Sequence, residues 1–275
     1  MVMPTIKIDS SLTIYYEDDC FVDPWRKPEV VLLIHGIAES SRAWIGWVPW
    51  LSREFRVLRP DLRGFGRSTI PARDFKWSIN VFVEDLKNFL DKLNIDGVHI
   101  IGAKIGGSIA FKFAAEHAEY ARTLTIASGP VRVRGTGGSI DLLSIADRIR
   151  TVGLQTWAGE TQRARLGSEA PQEQVDWWTA MMSESDPQVC VGVTSSLDQL
   201  AVFDQLRHIQ APTLIITTDR SPLQSVETVK EAHKQIPNSE MLVISSDSYH
   251  IAAVQPDACA QYSLKFIKKQ STKKH

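Results

Sequence analysis

Hydrophobic residues follow two patterns along this chain, and together the patterns predict an α/β protein. Short continuous apolar runs are typical of strands that are covered on both faces of a parallel sheet. Strands of this kind are predicted at 30–34, 56–58, 98–101, 123–127, 213–218 and 241–244. Two earlier segments, Thr5–Ile8 and Thr13–Asp18, alternate in character and predict an antiparallel start to the sheet.

Between these strands, apolar residues recur at helical spacing. Apolar side chains at 79, 82, 83, 86, 89, 90 and 93 predict an amphipathic helix over Ile79–Leu93. Further helices are predicted at 108–117, 226–235 and 256–267. Three Trp residues, Trp44, Trp47 and Trp50, recur at every third position and predict a helix over 41–53 that packs its Trp face on the core.

The pattern changes between about Val131 and Val193, where helical segments rich in aromatic residues and Met interrupt the strands. We interpret 131–193 as a helical cap inserted into a core formed by 1–130 and 194–275. Trp157 and Trp177 in this cap are candidate substrate-binding residues, because aromatic side chains suit the roof of an apolar pocket. Packing within the cap would explain them equally well.

Composition limits the partners of this protein. Its 275 residues, 43% of them hydrophobic, are enough for one large core. A net charge of -1 and a pI near 6.7 give no electrostatic case for binding nucleic acid or an anionic membrane. The three Cys residues fit no metal-binding spacing, and the N-terminus lacks the features of a signal peptide. We therefore expect a cytoplasmic, cofactor-independent protein that binds a small molecule and no metal; a homodimer is compatible with the sequence.

The segment Val98–Gly107 carries the strongest chemical signal. Small residues at Gly102 and Gly106 fit a tight corner between a strand and a helix, where backbones approach closely and one residue is held in a strained conformation. This corner is the nucleophile elbow of α/β-hydrolases, whose central residue is normally Ser. The central residue here is Lys104.

A second loop, His35-Gly36-Ile37, follows the strand at 30–34. A Gly at this place allows a sharp turn and leaves amide N–H groups at the carboxyl edge of the sheet. We predict an oxyanion hole formed by the backbone N–H groups of Ile37 and Ile105, with Gly36 beside the substrate. His-Gly alone would also fit an ordinary loop, but the elbow that follows favours the functional interpretation.

Five motifs occur in a fixed order over nearly the whole chain: His35-Gly36, the segment 61–68 with the pattern D-x-R-G-x-G-x-S, the elbow, the strand 213–218 and His250. This order resembles the α/β-hydrolase superfamily, and the loops are similar to 3-oxoadipate enol-lactonase-like enzymes and meta-cleavage product hydrolases. The resemblance implies an α/β-hydrolase fold with a mostly parallel central sheet, helices on both faces and a helical cap. It also implies that His250 is the catalytic base. We expect Asp61 and Arg63 to form a structural ion pair.

The sequence departs from this family at two positions. Lys104 replaces the nucleophilic Ser, and Ser221 stands where the family has its catalytic acid. Asp219 and Asp247 are the remaining candidates to orient the His250 imidazole, and the alternative acid position offers only Ser128. A Ser-His-Asp triad is therefore not expected, which disfavours an ordinary Ser esterase.

The position of Lys104 suggests two mechanisms. A helix N-terminus and partial burial both disfavour a charged amine, so the Lys104 pKa should be low. In the first hypothesis Lys104 forms a Schiff base with a ketone or aldehyde, and His250 moves protons. In the second, Lys104 stays charged and anchors a carboxylate or enolate, while His250 activates water or abstracts a proton.

Both hypotheses predict a hydrolase or C–C lyase that acts on a small anionic carbonyl compound, such as a keto acid, an ester or a lactone. Two alternatives remain open at this point. One is an ester or lactone hydrolase whose elbow Ser was changed to Lys104. The other is a ligand-binding homologue that has lost catalysis.

Overall fold

The computed structural model describes residues 4–200 and 202–271, and the structural statements below concern these residues. An eight-stranded sheet forms their centre, in the order β1-β2-β4-β3-β5-β6-β7-β8. Strands β1 and β4 pair antiparallel with β2, and the other neighbours pair in parallel. The strands are β1 (Thr5–Lys7), β2 (Thr13–Asp19), β3 (Val30–Ile34), β4 (Arg56–Pro60), β5 (Val98–Ala103), β6 (Ala121–Ala127), β7 (Thr213–Thr218) and β8 (Ser239–Ile244).

Helices cover both faces of the sheet. They are α1 (Val48–Leu51), α2 (Ile79–Lys92), α3 (Ile105–Glu116), α4 (Ile145–Val152), α5 (Leu154–Leu166), α6 (Gln172–Ser183), α7 (Pro187–Ser195), α8 (Val226–Gln235), α9 (Ile251–Val254) and α10 (Pro256–Ser271). Side chains alternate between the two faces of a strand. Leu32 and Ile100 accordingly pack in the core shared with α2, α3 and α8, whereas Val31 and Ile101 pack in the core shared with α1 and α10. The predicted α/β architecture, mostly parallel with helices on both faces, is confirmed.

Four helices, α4 to α7, lie between β6 and β7 in the chain. Within this layer α4 packs beside α5 and α7, and α5 packs beside α6. These helices occupy most of the segment 131–193 that we propose as a cap. None of the helices in the described ranges combines the length and apolarity needed to span a membrane.

The helix predicted over 41–53 does not form as one element. A short 3-10 helix (Ser41–Trp44) is followed by α1 (Val48–Leu51). A continuous helix would place Pro49 in its interior, where the ring clashes with the carbonyl of the preceding turn. Gly46 lies at the break, and a Cβ there would be 2.8 Å from the Cβ of Pro256. The chain therefore turns where it packs on the start of α10.

The predicted ion pair between Asp61 and Arg63 is wrong. The Arg63 guanidinium instead donates to both oxygens of Asp85 on α2, at 2.7 Å each. Asp61 accepts hydrogen bonds from the backbone N–H groups of Ser41, at 2.6 Å, and Arg67, at 2.8 Å. Asp61 thus joins two loops at the carboxyl edge of the sheet, while Arg63 fastens its loop to a helix.

Candidate active site

The elbow between β5 and α3 holds Lys104 in a sparsely populated backbone conformation. Its φ is 54° and its ψ is -126°, a region in which a residue other than Gly is strained by about 1–3 kcal/mol. The glycines allow the close approach that imposes this turn. A Cβ on Gly106 would lie 2.2 Å from the carbonyl oxygen of Ile34, and one on Gly102 would lie 2.4 Å from the carbonyl oxygen of Gly106.

The Lys104 amine contacts a buried carboxylate that none of the sequence motifs marks as a site residue. Nζ of Lys104 lies 2.5 Å from Oε1 of Glu39, and both side chains are almost fully buried. Glu39 belongs to the loop after β3, and its Oε2 accepts a hydrogen bond from the Gly36 N–H at 2.8 Å. Gly36, which we expected beside the substrate, therefore positions Glu39. The sequence did contain a signal for this partner of Lys104, because Glu39 follows the His-Gly motif by three residues.

His250 lies next to the same oxygen atom of Glu39. Its Nε2 is 3.1 Å from Oε1 of Glu39, without the alignment of a hydrogen bond. The backbone N–H of His250 donates to the Arg165 carbonyl at 3.0 Å, and the edge of the imidazole meets the Trp178 ring at 4.8 Å between centroids. Nδ1 is buried and has no hydrogen-bond partner within the described residues.

The structure does not bring the acid candidates from the sequence to this imidazole. Asp219 accepts from the Ser246 N–H at 2.9 Å and pairs with Arg220. Ser221 Oγ accepts from the Leu223 N–H at 3.2 Å. Asp247 accepts from the Ser168 N–H at 3.0 Å, and the buried Ser128 hydroxyl has no partner within the described residues. Asp219, Ser221 and Asp247 therefore bind backbone groups of the surrounding loops, and Glu39 is the carboxylate that lies beside His250.

Burial and the neighbouring charges set the protonation of the three groups. Burial would raise the Glu39 pKa, but the charges of Lys104 and His250 outweigh it and hold that pKa well below its ordinary value of 4.5. Burial lowers the pKa of Lys104 from 10.5; Glu39 opposes this shift and Arg165 adds to it. Burial also lowers the pKa of His250 below 6.5. At neutral pH the resting site therefore contains a carboxylate and a neutral imidazole, and the shift favours release of the Lys104 proton.

A cavity lies against the elbow. Lys104 lines it together with Ile37 and Ile105, the two residues that we predicted to form an oxyanion hole. The backbone N–H groups of Ile37 and Ile105 have no acceptor within 4–200 and 202–271. Trp157 also lines the cavity, whose wall is mostly apolar. His250 and Glu39 do not line it, so Lys104 is the member of the three that can touch a bound molecule.

Arg165 supplies a buried positive charge to the same cavity wall. Its guanidinium lies 4.4 Å from the centroid of the Trp157 ring and donates to the Thr161 hydroxyl. Arg165 is 3% exposed, and no carboxylate in the described part of the chain forms an ion pair with it. Nothing in the sequence pattern of the cap pointed to this residue, because its burial results from packing between α5 and the loop of His250.

The other cap residue that we expected at the substrate lies elsewhere. Trp177 contacts the Arg42 guanidinium, at 5.3 Å from its ring centroid, and the Trp178 ring. Trp177 is not part of the cavity wall. Consecutive helical residues differ by about 100° in direction, so Trp178 faces His250 while Trp177 faces outward. Among the residues described, no group of three or more His, Cys, Asp or Glu side chains is arranged to hold a metal ion.

Sequence comparison gives local and full-length matches. A protein of Mycobacterium tuberculosis called uncharacterized is 35% identical over 98 residues, which is 36% of this chain and 28% of that protein. The chain thus spans less than a third of this relative. The 2-hydroxymuconate semialdehyde hydrolase of a Pseudomonas species is 35% identical over 35% of each chain. The (E)-2-((N-methylformamido)methylene)succinate hydrolase of Acinetobacter baylyi is 22% identical over 95% of this chain and 96% of the relative.

Solved structures show the same fold over almost the full length. An enol-lactonase from Burkholderia xenovorans superimposes with a TM-score of 0.87 and 19% identity, covering 96% of this chain and all of that one. At this identity the likeness establishes the fold alone. The family model described as the alpha/beta hydrolase fold matches residues 29–256. The elbow, the Glu39 loop and His250 all lie inside that match, and the chain belongs to the α/β-hydrolase family.

Proposed function

We propose that this protein is an enzyme that acts on a small anionic carbonyl compound, and that Lys104 is the group that acts on the carbonyl. The observation that carries the proposal is the position of the Lys104 amine at the cavity wall, with Glu39 buried behind it. Burying such charges is costly even when they are paired. A scaffold that only bound a ligand would gain nothing from this arrangement, which favours an enzyme over a binding protein.

Arg165 supports an anionic substrate. A guanidinium presents a fork of N–H donors that matches a carboxylate, and it is less strongly hydrated than an ammonium group. The mostly apolar wall would strengthen this contact by excluding water. Relatives named for a succinate derivative and for 2-hydroxymuconate semialdehyde, and a structural neighbour named as an enol-lactonase, support a small carbonyl compound such as a keto acid, an ester or a lactone.

Schiff-base chemistry on a keto acid is the mechanism that the geometry favours. Glu39 accepts a proton from Lys104 across their 2.5 Å contact, and the neutral amine adds to the substrate carbonyl. Glu39 returns the proton to the nitrogen of the resulting carbinolamine, and the proton passes from there to the hydroxyl oxygen, which leaves as water so that an iminium remains. The iminium withdraws electrons from the neighbouring C–C bond, which allows decarboxylation or retro-aldol cleavage. The neutral His250 imidazole lies beside the same carboxylate and is a second acceptor for this proton.

Hydrolysis without a covalent intermediate is the second candidate, and the contact with Glu39 favours it in one respect. A carboxylate at 2.5 Å stabilises the charged form of Lys104, which would then stabilise an oxyanion together with the N–H groups of Ile37 and Ile105. His250 would accept the proton of the attacking water. This candidate ranks second because His250 is not part of the cavity wall.

Trapping of the iminium tests the first mechanism. The protein is incubated with levulinate and cyanoborohydride, and its peptides are analysed by mass spectrometry. We expect a reduced adduct on Lys104 that is missing from Lys104→Met. Methyl propyl ketone has the same carbonyl without a carboxylate, so Arg165→Met should reduce labelling by levulinate and leave labelling by the ketone unchanged.

The two mechanisms and the binding alternative give different results. Turnover of small acidic esters or lactones that survives in Lys104→Arg, without any trapped adduct, would establish the charged role of Lys104. Ligand-induced thermal stabilisation without adduct or turnover on keto acids, esters and lactones would overturn the proposed function in favour of a binding protein.

A further inference from the structure

The cavity against the elbow contains a buried phenol that has no role in the Schiff-base steps described so far. Tyr249, the residue before His250, lines this cavity together with Lys104 and Arg165, and it is 7% exposed. Its backbone N–H donates to the Arg165 carbonyl at 3.1 Å, which fastens the loop after β8 to the end of α5. Tyr249 is therefore held in the wall that a molecule bound at Lys104 would contact.

The Schiff-base reaction requires a proton inside this cavity. Decarboxylation and retro-aldol cleavage both leave the electron pair of the broken C–C bond in an enamine, and a proton must reach the enamine carbon before the product is released. The nitrogen of Lys104 is part of the enamine at this stage. Glu39 and His250 do not line the cavity, so the donor has to come from another part of the wall.

Tyr249 is the residue of the wall that can supply this proton. Most of the other lining residues are apolar, and a guanidinium such as that of Arg165 is not deprotonated in proteins. The Thr194 hydroxyl already donates to the Cys190 carbonyl at 2.7 Å. Among the described residues that line the cavity, Tyr249 is thus the remaining side chain with a proton to transfer.

Burial and Arg165 suit the phenol to this transfer. Burial raises the pKa of Tyr249, whereas the charge of Arg165 and a hydrogen bond from it oppose the shift. The phenol is therefore protonated in the resting site, and the guanidinium is in place to stabilise the phenolate that remains after the transfer. A guanidinium has five N–H donors, so Arg165 can contact a substrate carboxylate as well.

We propose that Tyr249 donates a proton to the enamine carbon after the C–C bond has broken. The enamine electron pair forms the new C–H bond and the phenol O–H bond breaks, which leaves an iminium on Lys104 and a phenolate beside Arg165. Water then adds to the iminium carbon, and one of its protons passes to the phenolate as the carbinolamine forms. The carbinolamine releases the carbonyl product and the neutral Lys104 amine. This step rests on the proposed function, and a substrate analogue that cannot be cleaved separates the two.

Deuterium exchange into levulinate tests this role, because levulinate can form an iminium but has no bond that the enzyme would cleave. The iminium becomes an enamine when it loses a proton from a carbon next to it, which is the reverse of the proposed step. Return of a deuteron then labels C3 or C5 of levulinate. NMR of levulinate in D2O gives the exchange rate, and cyanoborohydride trapping gives the amount of iminium.

We expect Tyr249→Phe to keep the wild-type amount of trapped iminium and to lose at least about 100-fold in exchange rate, the lower end of what a positioned acid–base group contributes. Tyr262→Phe is the matched control, because Tyr262 lies on α10, is 48% exposed and is not part of the cavity wall. Exchange in this control should proceed at the wild-type rate.

Wild-type exchange in Tyr249→Phe, with the iminium still trapped, would overturn the role of Tyr249 and leave the Schiff-base mechanism intact. Absence of a trapped iminium in the wild type would reject that mechanism and this step with it. If Tyr249→Phe does not fold, as judged by near-UV circular dichroism, 3,5-difluorotyrosine at position 249 keeps the ring and lowers the pKa of the phenol. The pH at which exchange accelerates should then shift downward, and an unchanged pH profile would reject the proposal.

Discussion

Nζ of Lys104 and Oε1 of Glu39 lie 2.5 Å apart, although 65 positions separate the two residues in the chain. The contact joins the elbow after β5 to the loop after β3, its neighbour in the sheet. In a Ser triad the elbow Ser contacts a His, which a distant acid orients; here the elbow residue contacts a carboxylate directly. The positive charge of Lys104 is balanced by the Glu39 carboxylate, and His250 lies beside this ion pair.

Removing the Glu39 carboxylate should destabilise the folded protein, because Lys104 then loses its buried partner. Glu39→Gln leaves a buried ammonium group without its partner, and breaking a buried pair in this way costs about 3–5 kcal/mol. Glu39→Gln/Lys104→Met removes both charges and should recover most of that loss. Urea denaturation gives the free energy of unfolding of each variant. Equal losses in the single and double variants would mean that the pair does not contribute as a unit.

Stability should fall as the pH is lowered, in two stages. The pKa of His250 is below 6.5 in the folded protein, so only the unfolded state takes up this proton as the pH falls below 6.5, and the free energy of unfolding decreases. The pKa of Glu39 is well below 4.5, so its contribution is complete above pH 4.5 and is lost as the pH falls further.

The two stages can be assigned with matched variants measured by thermal denaturation across this pH range. His250→Gln should reduce the first stage, leaving the part that the buried His35 contributes through its own lowered pKa. Glu39→Gln should reduce the second. A profile in Glu39→Gln that matches the wild type below pH 4.5 would contradict the assignment of the low pKa to Glu39.

Restoring the family nucleophile should not restore an esterase. In a Ser triad the acid holds the imidazole and stabilises its charged form, and Nδ1 of His250 has no such partner within the described residues. Lys104→Ser should therefore show no burst of nitrophenolate from p-nitrophenyl acetate beyond that of Lys104→Ala in a stopped-flow assay. A clear burst would show that Glu39 can take the place of the missing acid.

Two Gly→Ala substitutions, one at the elbow and one in α5, should change the stability of the protein in opposite directions. Gly106→Ala places a Cβ 2.2 Å from a backbone oxygen, and such overpacking costs about 1–3 kcal/mol or more. Gly159 lies in α5 with its nearest neighbouring atom 4.0 Å from a built Cβ, so Gly159→Ala should stabilise the helix by about 0.5–1 kcal/mol. Thermal denaturation measures both, and tolerance of Gly106→Ala would mean that the strand and helix can separate at the elbow.

The fold could be predicted from the sequence because its signals are local. The apolar runs of β3, β5 and β7 and the amphipathic pattern of α2 each lie within one short segment, and the glycines of the elbow mark a backbone geometry that few other residues allow. The prediction failed where a local rule was overlooked. Pro49 breaks the segment 41–53, although its Trp spacing suits a helix.

The site was only partly predictable, because its charges meet through tertiary contacts. The elbow placed Lys104, and the family order placed His250. The family position of the acid holds Ser221, with Asp219 two residues earlier, whereas the carboxylate that reaches the site is Glu39. Arg165 carried no sequence signal at all, since a positive charge in a cap helix is ordinarily solvated and only the packing of α5 buries it.

The order of the strands has a consequence for which parts of the sheet hold the site together. Strands β1 to β5 form one contiguous half of the sheet, and β6, β7 and β8 extend it in sequence at one edge. Glu39 and Lys104 follow β3 and β5, which pair directly, whereas His250 follows β8 at the far edge of the sheet. The charge pair therefore depends on one strand pairing in the middle of the sheet, while the place of His250 beside it depends on every strand from β5 to β8.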